Sequence, residues 1–355
     1  MINSRVARVL LYLPAMLFEF AVRARIKLYE NNIFRSYKLR SPVISVGNLT
    51  VGGTGKTPCV AYLTSMLEGE GLRVAIISRG YKRKSSGRVL VSDGRGILCT
   101  PEQAGDEPYL LARLSPKATV IVDVDRYAAG IWAEEHAGIS IIILDDAYQH
   151  LRLTRDLNIA LIDAGDNLEE LRMIPFGRLR EPLNGLSRAN AVIVTRSDKL
   201  TDKNAIESTI KRFSGKSIPI FFAEHKIIAF RQLKKETVSL ESQSFTGQPV
   251  AVFSGIARPE RLLSDLENLG MKIVLRRDFK DHHRYSLDQI ERIIQDSIAA
   301  GAVAIITTEK DEANLPEIAG SGSTLPIFAA RLEFICSDGE ELKKLLLGKI
   351  AAPAR

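Results

Sequence analysis

Short apolar runs alternate with amphipathic stretches along most of the chain. Runs that are apolar at nearly every position, such as Ile139–Leu144 and Ala191–Thr195, predict strands buried on both faces of a sheet. A stretch such as Lys56–Glu70 carries its apolar residues at helical spacing. Strands and helices in this alternation indicate a parallel sheet covered by helices on both sides. The other strands predicted in this part of the chain are 42–46, 73–78, 118–122 and 157–162, with a helix through residue 135.

The pattern changes after residue 222. Residues 226–233 and 236–240 predict a short antiparallel pair, and a second series of strands follows at 249–254, 272–275 and 302–307. We therefore predict two α/β domains, a larger one at 41–222 and a smaller one at 248–355, joined by a short two-stranded linker at 223–247. A single continuous sheet is the alternative.

The first 40 residues differ in character from the rest. They hold eight Lys and Arg side chains and two Glu, which is +6 of the net charge of +7. These charges bracket the apolar stretch Val9–Phe18, which is shorter than the roughly 20 residues that span a bilayer. We predict an amphipathic segment lying at a membrane surface, with its cations on anionic headgroups. The alternative is a helix packed on the core of the protein itself.

The strongest chemical signal follows the first predicted strand. Residues 47–57 read GNLTVGGTGKT, which is a strand end, a glycine-rich loop, Lys-Thr and a helix start. Such a loop curls its backbone N–H groups around phosphate oxygens, while the lysine reaches the outer phosphates and the threonine hydroxyl ligates Mg²⁺. Thr50 stands where the usual pattern has a glycine. The predicted nucleotide-phosphate residues are Thr50, Val51, Gly52, Gly53, Thr54, Gly55, Lys56 and Thr57.

A phosphate loop of this type works with an acidic residue on a neighbouring strand. The apolar run Ile139–Leu144 leads directly into Asp145 and Asp146, so a carboxylate is expected at the carboxyl end of that strand. We predict that Thr57 and one of these two aspartates hold Mg²⁺. Asp123 and Asp125, which follow the strand at 118–122, are weaker candidates.

Composition narrows the classes of function only slightly. Outside the first 40 residues the charges nearly balance, and no basic patch interleaved with aromatic residues is present, so we expect no nucleic-acid partner. Cys59, Cys99 and Cys336 are too far apart for a metal or disulfide framework. No obligate protein partner is evident.

Seven short motifs, in order from residue 47 to residue 311, together resemble the tetraacyldisaccharide 4′-kinase family, the lipid A kinases of Gram-negative bacteria. They are GNLTVGGTGKTP (47–58), SRGY (78–81), GDEP (105–108), LDDAYQH (144–150), GRLREP (177–182), DHH (281–283) and TEKD (308–311). The basic apolar N-terminal segment is also similar to that family.

This resemblance implies a P-loop kinase that moves the γ-phosphate of ATP, with Mg²⁺, to the 4′-hydroxyl of a tetraacyldisaccharide 1-phosphate. It places the enzyme at the cytoplasmic face of the inner membrane, as a peripheral or monotopic protein. Asp106 would be the general base and His282 its partner, although the adjacent His283 is an alternative. Without the resemblance, capping of a helix at 109–114 is the plainer role for Asp106.

The remaining residues of these motifs are expected around the nucleotide. Gln149 and His150 follow the aspartate pair, and the resemblance places Arg180 and Glu181 near the nucleotide, where a surface ion pair is the plainer alternative. A membrane-associated P-loop switch ATPase is the rival function. Proteins of that kind often carry a lysine where this chain has Val51.

Overall fold

The computed structural model describes residues 5–233, 239–316 and 325–350, with side chains from residue 11 onward. The helices are α1 (Arg5–Glu30), α2 (Lys56–Gly69), α3 (Pro101–Ala104), α4 (Asp106–Leu114), α5 (Arg126–His136), α6 (Lys203–Ser214), α7 (Pro259–Asn268), α8 (Leu287–Ala299), α9 (Glu309–Glu312) and α10 (Gly339–Ile350). The strands are β1 (Val43–Asn48), β2 (Val74–Ser78), β3 (Val89–Asp93), β4 (Thr119–Val122), β5 (Ile141–Asp145), β6 (Leu157–Asp163), β7 (Ala191–Thr195), β8 (Ile220–Gln232), β9 (Ser239–Glu241), β10 (Pro249–Ser254), β11 (Lys272–Asp278), β12 (Ala304–Thr308) and β13 (Ile327–Cys336).

One twelve-strand path carries the sheet through the whole described chain. Its order is β11-β10-β12-β13-β8-β7-β6-β1-β5-β2-β4-β3, and β9 pairs with β8. Neighbouring strands are parallel except in the β3–β4, β8–β13 and β8–β9 pairs. The predicted mostly parallel α/β sheet is therefore confirmed, and the predicted strands of both series are present.

Helices cover both faces of the sheet because its central strands are apolar on both sides. In β1, Ile44 and Val46 pack with α2, α4 and α10, whereas Val43 packs in a second cluster with α5. The parallel strands β1, β2, β5 and β6 end at one edge of the sheet. Their last residues bring Asn48, Ser78, Asp145 and Asp163 to that edge.

Strand β8 joins the first series of strands, β1 to β7, to the second series, β10 to β13. It is 13 residues long, pairs with β7 near its start, and continues as an antiparallel partner of β13. The predicted antiparallel pair forms between β8 and β9, although residues 236–238 of the prediction lie outside the described chain. Because β8 is an internal strand, the sheet continues through residues 223–232 and is not interrupted there. The division into domains at 41–222 and 248–355 stays a prediction.

The N-terminal segment is the long helix α1. One stripe of this helix is exposed, formed by Tyr12, Leu13, Met16, Leu17 and Phe20. On another side, Ala15 is buried and Phe18 packs on the core cluster beneath. No helix among the described residues is long and apolar enough to cross a membrane.

Candidate functional site

The phosphate loop runs from the end of β1 to the start of α2. It turns at Gly52 and Gly55, whose φ angles of 109° and 80° favour glycine. Gly55 is the N-cap of α2 and has no side chain to accept from the first helical N–H groups, which leaves those donors for phosphate oxygens. Lys56 extends along the loop, with its Nζ 3.3 Å from Asn48 Oδ1 and 3.8 Å from Asp146 Oδ1.

The loop is supported from behind by residues 178–180. The Val51 N–H donates to the Arg178 carbonyl at 2.8 Å, and the Arg180 N–H donates to the Leu49 carbonyl at 2.7 Å. Thr50 forms the antiparallel bridge to Leu179 between these two bonds, and its Oγ1 accepts from Asn48 Nδ2 at 3.1 Å. This structural role explains how threonine is accommodated at the usual glycine position.

The two aspartates after β5 have different surroundings. Asp145 is buried, and its Oδ2 accepts from the Ser78 hydroxyl at 2.9 Å. Its Oδ1 is also buried and has no hydrogen-bond partner among the described residues. Burial, with the nearby carboxylates of Glu107 and Asp146, raises the pKa of Asp145 above its ordinary value. A carboxylate that is costly to ionise and has a free oxygen suits a site that receives a cation.

Asp146 is instead already paired with cations. Arg180 Nη1 donates to both carboxylate oxygens of Asp146, at 2.9 and 3.0 Å. Burial opposes the charge of Asp146, but Lys56 and Arg180 outweigh this effect and lower its pKa. The sequence left open which of the two aspartates holds Mg²⁺. In the structure both carboxylate oxygens of Asp146 accept from Arg180, whereas Asp145 Oδ1 has no partner among the described residues.

Gln149 and Glu181 lie beside the loop rather than on the surface. Gln149 Nε2 donates to the Asn48 carbonyl and to Glu181 Oε1, both at 2.8 Å. Glu181 is 1% exposed and is also paired with Arg188. His150 lines the same cleft, and burial together with nearby arginines lowers its pKa to about 4, so it is neutral at pH 7.

The second half of the chain contacts the phosphate loop directly. Arg261 of α7 donates from Nη1 to the Gly53 carbonyl at 2.8 Å, and its Nη2 lies 2.6 Å from Asp163 Oδ2. His225 of β8 lies so close to Gly55 that a Cβ at that glycine would be 2.3 Å from the ring. Neither Arg261 nor His225 was predicted from the sequence, since no motif singles them out.

Asp106 and His282 form a hydrogen-bonded pair across 176 positions of sequence. His282 Nδ1 lies 2.9 Å from Asp106 Oδ2, and Asn314 Nδ2 donates to the same oxygen at 2.8 Å. Burial disfavours the carboxylate, but these two partners and the cation of Lys310 outweigh it and hold the pKa of Asp106 below its ordinary value. Asp106 therefore remains ionised at neutral pH.

The alternatives to this pair are resolved by the geometry. Gly105, not Asp106, stands at the N-cap of α4, so the Asp106 side chain is not occupied with capping. His283 points elsewhere, with Nε2 3.1 Å from Gln289 Oε1 and its ring stacked on Phe279.

The weaker candidates Asp123 and Asp125 have structural partners. Asp123 pairs with Arg88 at 3.0 Å. Asp125 caps α5 by accepting from the N–H groups of Tyr127 and Ala128.

One cleft of about 1460 Å³ connects these groups. The phosphate loop, the aspartate pair, Glu107, His282 and Lys310 all contribute to its lining, and so do residues of α1. A lysine and threonine at a helix start, a carboxylate with a free oxygen and a buried Asp–His pair together define a P-loop phosphotransferase.

Comparison with known proteins identifies the family. The family model described as Tetraacyldisaccharide-1-P 4′-kinase matches residues 7–351, and the chain belongs to this family. The tetraacyldisaccharide 4′-kinase of Desulfotalea psychrophila is 40% identical over 92% of each chain. That of Geobacter metallireducens is 38% identical over 96% of this chain and 97% of its own. A crystal structure of LpxK from Aquifex aeolicus in complex with ATP has a TM-score of 0.78 and 33% identity, and it covers 97% of this chain and 99% of its own.

Proposed function

We propose that the protein transfers the γ-phosphate of ATP to the 4′-hydroxyl of a tetraacyldisaccharide 1-phosphate, a step in lipid A biosynthesis. The observation that carries this proposal is the ionised Asp106 paired with His282, a histidine that lines the same cleft as the phosphate loop. Family membership favours this kinase over a membrane-associated switch ATPase, because the named relatives are kinases of this acceptor.

The phosphate loop and the residues that support it would bind ATP and Mg²⁺. Residues 50–57 would hold the phosphates of ATP through backbone N–H groups and the Lys56 ammonium, with Arg180 adding charge nearby. Thr57 and Asp145 would hold Mg²⁺, and the free Oδ1 of Asp145 fits that role. Mg²⁺ supplies charge neutralisation on the phosphates when bound. Gln149 and Glu181 would keep the loop in place, and His150 would face the nucleotide as a neutral ring.

The acceptor side requires a base that is ionised and has a free oxygen. Both hydrogen bonds that described side chains donate to the Asp106 carboxylate end on Oδ2, and we assign Oδ1 to the acceptor hydroxyl. As the sugar oxygen bonds to the γ-phosphorus and ADP leaves, the hydroxyl proton passes to this oxygen. A base that takes the proton in this way contributes roughly 10²- to 10⁴-fold to rate.

The exposed stripe of α1 supports a membrane-bound acceptor. Tyr12 meets the Phe176 ring edge to face, but Leu13, Met16, Leu17 and Phe20 on the same side of the helix are each more than half exposed. Other residues of the same helix line the cleft, namely Phe18, Val22, Arg25 and Ile26. We propose that α1 lies on anionic lipid at the cytoplasmic face of the inner membrane, so that a lipid substrate enters the cleft beside it.

The test is transfer of labelled phosphate from ATP to tetraacyldisaccharide 1-phosphate in detergent micelles. We expect transfer by the wild type, a loss of about 10²-fold or more in Asp106→Ala, and little change in Asp296→Ala, a surface aspartate paired with Arg277. No transfer by a folded wild type that binds ATP would reject the function. Transfer that survives Asp106→Ala would reject the base.

A further inference from the structure

Lys310 joins three motifs at one ammonium group. Its Nζ lies 2.9 Å from Asp281 Oδ1, 3.3 Å from His282 Nε2 and 3.6 Å from Glu107 Oε1. Burial opposes its charge, but the carboxylates of Glu107, Asp281 and Asp106 outweigh burial and raise its pKa above the ordinary value. At neutral pH the group is therefore an ammonium, which can donate hydrogen bonds and cannot accept them.

This ammonium constrains the proton on His282. Since Lys310 can only donate, the contact at 3.3 Å requires His282 Nε2 to be the acceptor. In the neutral ring the proton must then be on Nδ1, from which it donates to Asp106 Oδ2 at 2.9 Å.

We propose that Lys310 is a positioning residue that holds His282 in its Nδ1–H tautomer and thereby aims one oxygen of Asp106 at the acceptor. The role given to Asp106 rests on the proposed function. The tautomer itself does not.

A competing acceptor makes the lysine necessary. Asp281 Oδ2 lies 3.6 Å from His282 Nε2, whereas Asp106 approaches the other ring nitrogen, Nδ1. Without the ammonium, Asp281 could accept a proton from Nε2, and the ring would be shared between two carboxylates. The Nδ1 lone pair of the Nε2–H tautomer would then face the Asp106 carboxylate, which would weaken the pair.

The backbone holds the lysine and the histidine in one unit. Lys310 is in the short helix α9, capped by Thr308, whose hydroxyl accepts from the Asp311 N–H at 3.1 Å. The Asp311 carboxylate accepts from the Gly255 N–H at 2.7 Å, and the Gly255 carbonyl accepts from the His282 N–H at 3.0 Å. His282 has a φ of 63°, a conformation that a non-glycine residue adopts only where neighbours hold it.

The first measurement is ¹⁵N NMR of histidine-labelled protein, in which the Nδ1 and Nε2 shifts report the tautomer. The chain has five histidines, and the signal of His282 is assigned by its loss in His282→Gln. We expect the Nδ1–H tautomer in the wild type and in Lys343→Met, and a mixture of ring states in Lys310→Met. Lys343 is a matched control because it also pairs with two carboxylates, Glu70 and Glu340, and lies outside the cleft lining.

The second measurement is the rate of phosphate transfer. We expect Lys310→Met to lower kcat by about 10-fold or more with little change in the KM for ATP, and Lys310→Arg, which keeps a cationic donor, to recover part of the loss.

An Nε2–H ring in the wild type, or an unchanged ring in Lys310→Met, would overturn the proposal whether or not the protein transfers phosphate. A rate unaffected by Lys310→Met, despite the altered tautomer, would separate the ring state from catalysis and remove the positioning role.

Discussion

The phosphate loop and the Asp106–His282 pair are assembled in opposite ways. Every loop residue from Thr50 to Thr57 is contiguous in sequence, and a strand end and a helix start fix its shape. The pair and its supports instead come from positions 106, 282, 310 and 314, which meet only when the two halves of the sheet pack together. The first site is thus one contiguous segment that distant residues only support, whereas the second is itself assembled from distant residues.

Because of this difference, we expect nucleotide binding and phosphate transfer to respond to different substitutions. Contacts with the nucleotide phosphates are expected from one half of the chain, whereas proton removal needs residues of both halves. Substitutions in the loop should therefore affect nucleotide affinity, while substitutions in the pair should affect only the rate of transfer.

The largest expected effect comes from Lys56→Met. Loss of the ammonium removes a donor to the phosphates, so we expect transfer to fall by about 10³-fold and nucleotide binding to weaken.

His282→Ala should lower transfer by about 10²-fold and leave nucleotide affinity unchanged. Binding of a fluorescent ATP analogue and transfer kinetics measure both effects. Equal losses of nucleotide affinity in the two variants would remove the distinction between the regions.

A smaller effect tests whether the start of the loop requires glycine because β1 lies close to residue 148. A Cβ at Gly47 would lie 2.7 Å from the Tyr148 backbone nitrogen, whereas a Cβ at Gly53 would meet nothing within 4 Å. Since neither glycine has a positive φ, the two substitutions differ mainly in steric fit. We expect Gly47→Ala to lower the free energy of unfolding by about 1–3 kcal/mol and Gly53→Ala to leave it nearly unchanged. Urea denaturation gives both values, and equal stabilities would contradict the close approach of β1 to residue 148.

The smallest effect concerns the charge on Asp106. Its pKa is lower in the folded protein than in the unfolded chain, so its ionisation stabilises the fold at neutral pH. That contribution is present above the ordinary aspartate pKa and is lost as pH falls through the lowered folded value. We expect Asp106→Asn to be less stable than the wild type at pH 7, by at most about 1 kcal/mol. The difference should shrink below about pH 4, and a constant difference across this range would contradict the sign.

Local features of the molecule could be read from the sequence. The loop and the strands β1, β5 and β7 were predictable because apolar runs and glycine spacing act over a few residues. Placing Asp145 at the sheet edge followed from parallel strands ending on one side. His282 required the resemblance, because nothing in the spacing of positions 106 and 282 indicates that they meet.

Features that depend on distant pairing were missed. The antiparallel partnership of β8 with β13 joins residues about a hundred positions apart, so the continuous sheet stood only as an alternative to a linker. Lys310 and Asn314 were given no role for the same reason, although Lys310 lies in one of the motifs that carried the resemblance. Their chemistry is visible only once α9 is packed against α4.

The place of β13 in the sheet has a consequence for synthesis of the chain on the ribosome. Residues 327–336 are made about a hundred positions after β8, yet they fill the place between β8 and β12. Until they emerge, one edge of β8 has no strand to pair with along most of its length, and an unpaired edge is a template for misassembly between nascent chains. The whole phosphate loop precedes β8 in the chain, so it is made before this interval begins, whereas the strand that closes the sheet is made after it.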